Sequence, residues 1–382
     1  MIDPDLLLSG PRGRRMLLEL AVELELQHPL PPERAVGDAV VAASFALRTA
    51  REDGATRLAA FVGDVTPQAG HSHAGATSEQ VAAALSALLA RGNAERPDSL
   101  DPAAVHRALV RAVDMAAYWQ EPGTEDAVAA HPAVREALRP LADRLAADPA
   151  AVWRDAPVAV RDQWAVAWDG HEPETPTDPA EVLREWRERV DENVARARRD
   201  RPADPSANWS GEWWSTPPRR LARSARRLAD VSGGIPAALE FVEDSLGWEE
   251  ANVRRLGVPA HLRIMEVRSA DDWARLCREH PLDVTPEVRQ DWFRTTGRDG
   301  TWLIPDWASV AAEYDAVHLT VAAYLSAGTA IPVDADAHAD AASVIAGWNP
   351  DETYWFTDRV RLVDAVEPWR FVDRERWEPV TD

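Results

Sequence analysis

The chain has 382 residues, 46% of them hydrophobic, which is enough for two domains or for one large domain with a sizeable core. Its formal net charge of −22 disfavours general binding to nucleic acid or to an anionic membrane, because like charges repel. All 42 basic residues are arginine, which excludes Schiff-base chemistry by lysine and the lysine of a phosphate-binding loop.

No apolar run reaches the roughly 18–20 residues that a membrane span needs, and residues 1–5 lack the basic start of a signal peptide. The single cysteine, Cys277, excludes an intrachain disulfide and a cysteine-rich zinc site. Cys277 lies in an apolar stretch typical of a buried, unreactive thiol. These features predict a cytoplasmic protein without a metal cofactor.

Residues 1–168 are predicted to form an all-helical domain, because apolar residues recur there at helical spacing between short connections. Ser9 or Gly10 is suited to cap the first long helix, Thr77 or Ser78 a later one, and Asp101 the one after that. The predicted helices lie within 6–30, 33–52, 56–62, 77–89, 101–119, 124–147 and 157–166.

Two polar clusters in this region have alternative interpretations. The arginines in 12–15 either hold an anion at a helix start or form a solvated edge or an interdomain salt bridge. His71 and His73 either contribute to a metal site or belong to an ordinary polar loop, and no further ligands are evident nearby.

Residues 169–205 are predicted to be an acidic, proline-rich linker that contains one charged helix over 179–199. Glu/Arg pairs at i,i+4 spacing support that helix, and its arginine-rich end suits a helix C-terminus.

Residues 206–382 are predicted to be a tryptophan-rich, mixed α+β catalytic domain with about five or six strands. Twelve of the 17 tryptophans lie from Trp209 onward. Ser269 and Asp306 are suited to cap two helices, over 271–278 and up to about 314. Helices are also predicted over 219–228 and 248–255, and strands over 209–217, 261–267, 316–321, 343–346 and 353–357, with 239–242 left as strand or helix.

The chain has no glycine-rich phosphate loop after a strand, no HExxH and no G-x-S-x-G elbow, so metal hydrolases and α/β-hydrolases have little support. Polar residues instead fall on the predicted strands. A cleft that they share with indoles could hold a stacked nucleotide, with Glu352 stabilising the sugar cation of a glycosyl transfer. The polar residues concerned are Ser215, Thr216, Arg263, Glu266, His318, Thr320, Asp351 and Glu352.

The order of four motifs carries a resemblance. Trp-Ser-Thr (214–216) is followed by Ser-x-Asp-Asp-Trp (269–273), by Asp-Trp-x-x-Val-Ala-x-x-Tyr-Asp-x-Val (306–317) and by Gly-Trp-Asn-Pro-Asp-Glu (347–352). Over about 209–358 this resembles a loosely defined group of bacterial and phage proteins, and the layout is similar to an ADP-ribosyltransferase-like fold.

The resemblance implies an NAD-dependent ADP-ribosyltransferase or an NAD-cleaving enzyme, with NAD as substrate. The target is unknown, and a protein is one candidate. It implies Glu352, His318 and Ser215 as catalytic residues. For holding NAD it implies Arg263 or His318, with Thr216 on the hydroxyl strand. We also predict Trp214, Thr320 and Trp348 to hold NAD in the same cleft.

Structural roles are the alternative for these residues. The tryptophans suit a core, His318 suits a hydrogen-bonded structural position, Glu352 suits a turn, and Glu243 with Asp244 suits a loop or helix cap. The alternative functions are a non-enzymatic acidic scaffold that binds a basic partner and a degenerate enzyme fold. The catalytic hypothesis requires Ser215, His318 and Glu352 to meet in one hollow walled by indoles.

Overall fold

The structure is a computed structural model that describes residues 3–27, 35–60, 77–91, 99–148, 156–228, 234–244, 247–335, 338–373 and 376–380. The helices of these residues are α1 (Pro4–Ser9), α2 (Pro11–Gln27), α3 (Val36–Ala60), α4 (Ser78–Arg91), α5 (Pro102–Asp114), α6 (Thr124–Ala130), α7 (Pro132–Ala147), α8 (Pro179–Asp200), α9 (Ala237–Glu240), α10 (Ala270–Glu279), α11 (Thr285–Thr296), α12 (Trp307–Glu313) and α13 (Val321–Ser326). Across the described ranges, no helix combines the length and apolar character needed to cross a membrane.

Fourteen strands complete the described part of the chain. They are β1 (Trp164–Trp168), β2 (Ala222–Ser224), β3 (Arg227–Leu228), β4 (Ile235–Pro236), β5 (Glu250–Gly257), β6 (Ile264–Val267), β7 (Pro281–Asp283), β8 (Thr301–Pro305), β9 (Ala316–Leu319), β10 (Ile331–Ala335), β11 (His338–Ser343), β12 (Thr353–Trp355), β13 (Arg361–Val372) and β14 (Arg376–Pro379). The predicted α+β class is confirmed: helices fill the N-terminal region, and most strands lie in the C-terminal half.

The N-terminal helices begin where the sequence predicts caps. The Asp101 side chain accepts from the Ala103 amide, and Thr77 and Gln80 exchange side-chain to backbone hydrogen bonds in a capping box. Arg12 is buried and pairs with Asp126 of α6 at 2.7 Å. An internal ion pair between helices therefore accounts for this arginine of the N-terminal cluster, and no anion is needed.

One predicted helix of the N-terminal region is wrong. Residues 157–166 do not form a helix, and β1 at 164–168 pairs antiparallel with β5. Trp164 also bridges to Ala225 beside β2. The four-stranded sheet β1-β5-β13-β14 thus takes its edge strand from before residue 169. The three-part division of the chain remains a prediction. Helix α13, from the predicted third part, packs against α1 and α2 of the predicted first part.

The sheet that positions most of the predicted residues has the order β2-β12-β9-β6. Strand β12 is antiparallel to both β2 and β9, and β9 is parallel to β6. All residues of β9 and β12 are buried, as expected for central strands covered on both faces. A further sheet has the order β10-β11-β8-β7, and β3 pairs with β4.

Several elements of the C-terminal half differ from prediction. Residues 219–228 and 248–255 were expected to be helical, but they contain β2, β3 and most of β5. In β5, Ala251, Val253 and Leu256 are buried between more exposed residues, and pairing with β1 and β13 outweighs local helix propensity. Residues 209–217 form no strand. Thirteen strands, β2–β14, follow residue 206 within the described ranges, compared with the five or six predicted.

Six tryptophans of the C-terminal half are fully buried, five of them in the main core and Trp355 in a separate small cluster. Trp348 lies between Trp273 and Trp307, with ring centroids 6.1 and 5.8 Å apart and edge-on geometry. Such edge-to-face pairs stabilise a core beyond the area that they bury. The six are Trp273, Trp292, Trp302, Trp307, Trp348 and Trp355.

Candidate functional site

A second set of tryptophans, all only partly buried, lines one cavity of about 400 Å³. The cavity lies between β1, β2, the segment before residue 215, residues 242–244, Trp248 and the loop at 347–352. Its indoles are Trp119, Trp164, Trp168, Trp213, Trp214 and Trp248. Its polar lining residues are Arg219, Arg223, Ser224, Glu243, Asp244, Asn349 and Glu352. We call this the indole cavity.

The indoles of this cavity pack against one another. Trp168 and Trp248 are stacked, with centroids 4.6 Å apart and planes 12° apart, and Trp213 meets Trp214 edge-on at 5.8 Å. Gly347 has φ +74°, and a Cβ there would lie 2.9 Å from the Trp214 Cβ. Only glycine fits this approach without strain, so the position of the Trp214 indole depends on it.

Glu352 presents a buried carboxylate to the indole cavity. It directly precedes β12, and its Oε1 accepts from Arg223 at 3.2 Å. Its Oε2 is buried without a hydrogen-bond partner. Desolvation raises the pKa of Glu352, and the nearby Arg223 and Arg219 charges partly offset that rise. The Glu352 side chain thus lines the cavity, and one of its oxygens has no hydrogen-bond partner among the described residues.

Glu243, in the loop after α9, also lines the cavity, but its carboxyl group interacts with the buried Tyr118 and Tyr324 outside the lining. Its backbone N–H donates to the Asn349 side chain at 3.1 Å, and both carboxyl oxygens are buried without a hydrogen bond of full geometry. Burial raises the pKa of Glu243 to about 8, although the Tyr324 and Tyr118 hydroxyls and Arg12 favour the ionised form. Glu243 is therefore mostly protonated at neutral pH.

Sequence reasoning assigned Glu243 only to a loop or helix cap. Its environment comes from Tyr118, which follows α5, and from Tyr324 of α13, both of them buried. No local sequence signal marks this arrangement, because the residues that create it are distant in the chain.

We expect Glu243→Gln to change how stability depends on pH. The unfolded carboxyl ionises near 4.5 and the folded one near 8, so wild-type stability falls as the pH rises between these values. The Glu243→Gln variant has no such loss. Its free energy of unfolding should therefore rise relative to that of wild type by up to about 1.4 kcal/mol per pH unit in that window. Urea unfolding at several pH values measures this difference, and the exposed Asp244→Asn controls for the lost negative charge. Parallel wild-type and Glu243→Gln profiles would contradict the prediction.

His318 lies in a closed ion cluster and not in the indole cavity. The imidazole is buried, with Nδ1 2.6 Å from Glu266 and Nε2 3.3 Å from Asp351. Asp351 also accepts from the Arg226 guanidinium at 2.7 Å. The two carboxylates raise the pKa of His318 against the opposing effect of burial. Both ring nitrogens are occupied, so the assignment of His318 as a catalytic base gives way to the structural alternative.

The His318 cluster should stabilise the fold most between about pH 4.5 and 6.5. Ion pairing lowers the pKa values of Glu266 and Asp351 from 4.5 and 3.8, so their contributions are lost as the pH falls. The raised pKa of His318 means that its contribution is complete below 6.5 and is lost as the pH rises through the folded value. We expect the destabilisation by His318→Leu to be largest in this window and smaller at higher pH. A pH-independent difference in urea unfolding would contradict this.

The hydroxyl residues of the predicted site are also structural. The Ser215 Oγ accepts from the Ala346 amide at 2.9 Å and is completely buried. Thr320 caps α13, and its hydroxyl donates to the Val267 carbonyl. Thr216 is buried and does not line the cavity. Ser215 and Thr320 therefore hold backbone segments in place, and none of the three residues lines the cavity.

Arg263 and Trp348, which were also predicted to hold NAD, lie outside the lining of the indole cavity. Arg263 is 59% exposed, pairs with Asp315 at 3.4 Å and lies outside the cavity lining. Trp348 is fully buried, and its Nε1 donates to the Glu352 backbone carbonyl at 3.2 Å. Of the predicted residues, the structure brings only Trp214 and Glu352 together in one cavity.

Metal-binding and thiol chemistry have no geometric support within the described ranges. His71 and His73 lie outside the described residues. Among the residues that the structure describes, no group of three His, Cys, Asp or Glu side chains is arranged to hold a metal. Cys277 is buried, as predicted, and burial raises the pKa of its thiol to about 12. A thiol with that pKa is unreactive at neutral pH.

Comparison of the chain with protein-family models, with curated proteins and with solved structures finds no match.

Proposed function

We propose that the protein is an enzyme that breaks or transfers a glycosidic bond in a ring-bearing small molecule, with NAD as the first candidate substrate. The observation that carries this proposal is the position of Glu352 in the lining of a cavity walled by six indoles. Indole faces suit planar heterocycles and sugar rings. The resemblance of residues 209–358 to ADP-ribosyltransferases agrees with it but does not carry it.

Glu352 supplies the negative charge that cleavage of a glycosidic bond needs. Departure of a glycosidic leaving group places positive charge on the sugar ring, which the Glu352 carboxylate stabilises. With NAD, the C–N bond breaks, its electron pair leaves with nicotinamide, and an acceptor oxygen attacks the sugar carbon. Glu352 then takes the proton of that acceptor. Nicotinamide leaves as a neutral ring, so the step needs no general acid, and Glu243, whose carboxyl oxygens are buried, positions the cavity wall through its backbone hydrogen bond to Asn349.

The enzyme hypothesis is tested by titrating the protein with NAD in a calorimeter and by following nicotinamide release by chromatography. We expect saturable binding, quenching of tryptophan emission and release of nicotinamide. Protein that neither binds nor consumes NAD would overturn NAD as substrate. A panel of nucleosides and glycosides then tests the wider glycosidic class.

An acidic interaction protein remains the second candidate function, and one observation favours it. Val41 and Phe45, one helical turn apart on α3, are 69% and 47% exposed. Exposed apolar pairs of this kind occur in docking faces. Loss of a stoichiometric basic partner from a pulldown with Val41→Glu would support this function, and unchanged capture would count against it.

A further inference from the structure

A second cavity, of about 460 Å³, adjoins the indole cavity on the other side of β1. Successive side chains of a strand point to opposite faces. Accordingly Trp164 and Trp168 line the indole cavity, whereas Ala165 and Ala167 line the second one. Strand β1 is therefore a thin wall between the two spaces.

Two arginines line both cavities. Arg219 and Arg223 belong to the lining of each, and Arg220 joins them in the second cavity. Arg219 lies 5.8 Å from the Trp214 ring and forms no ion pair with any described carboxylate. Arg223 gives one nitrogen to Glu352. Because each guanidinium carries five N–H donors, both keep donors for a ligand.

The opposite wall of the second cavity comes from the segment after β1. It contributes His171, Glu172 and Glu174, all exposed. In the described residues neither glutamate is ion-paired with Arg219 or Arg223. Arg219 and Arg223 are thus the cationic side chains that the two cavities share at their junction, with Glu172 and Glu174 in the lining of the second cavity.

We propose that this junction is a phosphate subsite, so that the ligand places its ring among the indoles and its phosphate against Arg219 and Arg223. Guanidinium groups bind phosphate through paired, charge-assisted hydrogen bonds. The ligand class is therefore a nucleotide and not a free nucleoside or neutral glycoside. This inference rests on the proposed function and specifies its substrate class.

The test compares adenosine, AMP and ADP as ligands in calorimetry at low salt. We expect AMP and ADP to bind at least about tenfold more tightly than adenosine, because charge-assisted hydrogen bonds add to the ring contacts. The advantage should shrink as ionic strength rises. Arg219→Gln should remove most of the phosphate advantage and weaken AMP and ADP binding much more than adenosine binding. The matched control is Arg198→Gln, an exposed arginine in the last turn of α8.

Equal affinity for adenosine and ADP, or an equal loss for both in Arg219→Gln, would overturn the phosphate subsite. If NAD is cleaved while adenosine and ADP bind equally, the proposed function stands and only the subsite fails. If none of these ligands binds and NAD is not consumed, both the phosphate subsite and NAD as substrate are ruled out.

Discussion

Glu352→Gln is expected to lower kcat for NAD cleavage about 100- to 1000-fold, the range found when one group that stabilises transition-state charge is removed. The Glu352 Oε1 accepts from Arg223, and glutamine keeps an oxygen for that hydrogen bond. NAD binding and the folded structure should therefore change little. Steady-state kinetics with nicotinamide detection measures kcat and KM separately.

Glu313→Gln is the matched control for this variant. Glu313 ends α12, is 64% exposed and lies outside the lining of the indole cavity, so its activity should equal that of wild type. Retention of wild-type kcat by Glu352→Gln would show that Glu352 is only a partner of Arg223.

His318→Leu is expected to reduce the free energy of unfolding by about 3–5 kcal/mol, the usual cost of leaving buried charges without their partner. Glu266 and Asp351 would lose the imidazole that lies between them, and only Asp351 would keep Arg226. Such a loss is a large part of the 5–15 kcal/mol typical of a folded domain. Urea unfolding near pH 6 measures it.

The exposed His171→Gln controls for loss of a histidine and should change stability by less than about 0.5 kcal/mol. This prediction also separates the two assignments of His318. A catalytic histidine would lose activity with little change in stability, and that result would contradict the structural assignment.

Local signals in the sequence predicted many helix starts correctly. Asp101, Ser269 and Asp306 all cap the helices expected of them, because a cap depends only on residues within one turn. Predictions failed where tertiary pairing decided the outcome. The sequence predicts a helix where β5 lies, because its Arg and Glu residues suit helices. Only pairing with β1 and β13 favours a strand there.

The candidate site was predicted only in part for the same reason. Glu352 was selected from the chemistry of a late carboxylate, and it does face indoles. The sequence could not separate Trp214, which lines the cavity, from Trp348, which is core, because both are tryptophans near glycine in similar local patterns. The sequence does not predict the raised pKa of Glu243, because that pKa results from burial among residues that are distant in the chain.

The most direct measurement of the central claim is a crystal structure of Glu352→Gln with NAD, since this variant should bind the substrate without consuming it. The account predicts a planar ring of NAD against the indoles of the cavity, with the glycosidic carbon beside residue 352 and the phosphates at Arg219 and Arg223. NAD bound elsewhere on the protein, or an indole cavity that stays empty at saturating NAD, would contradict it.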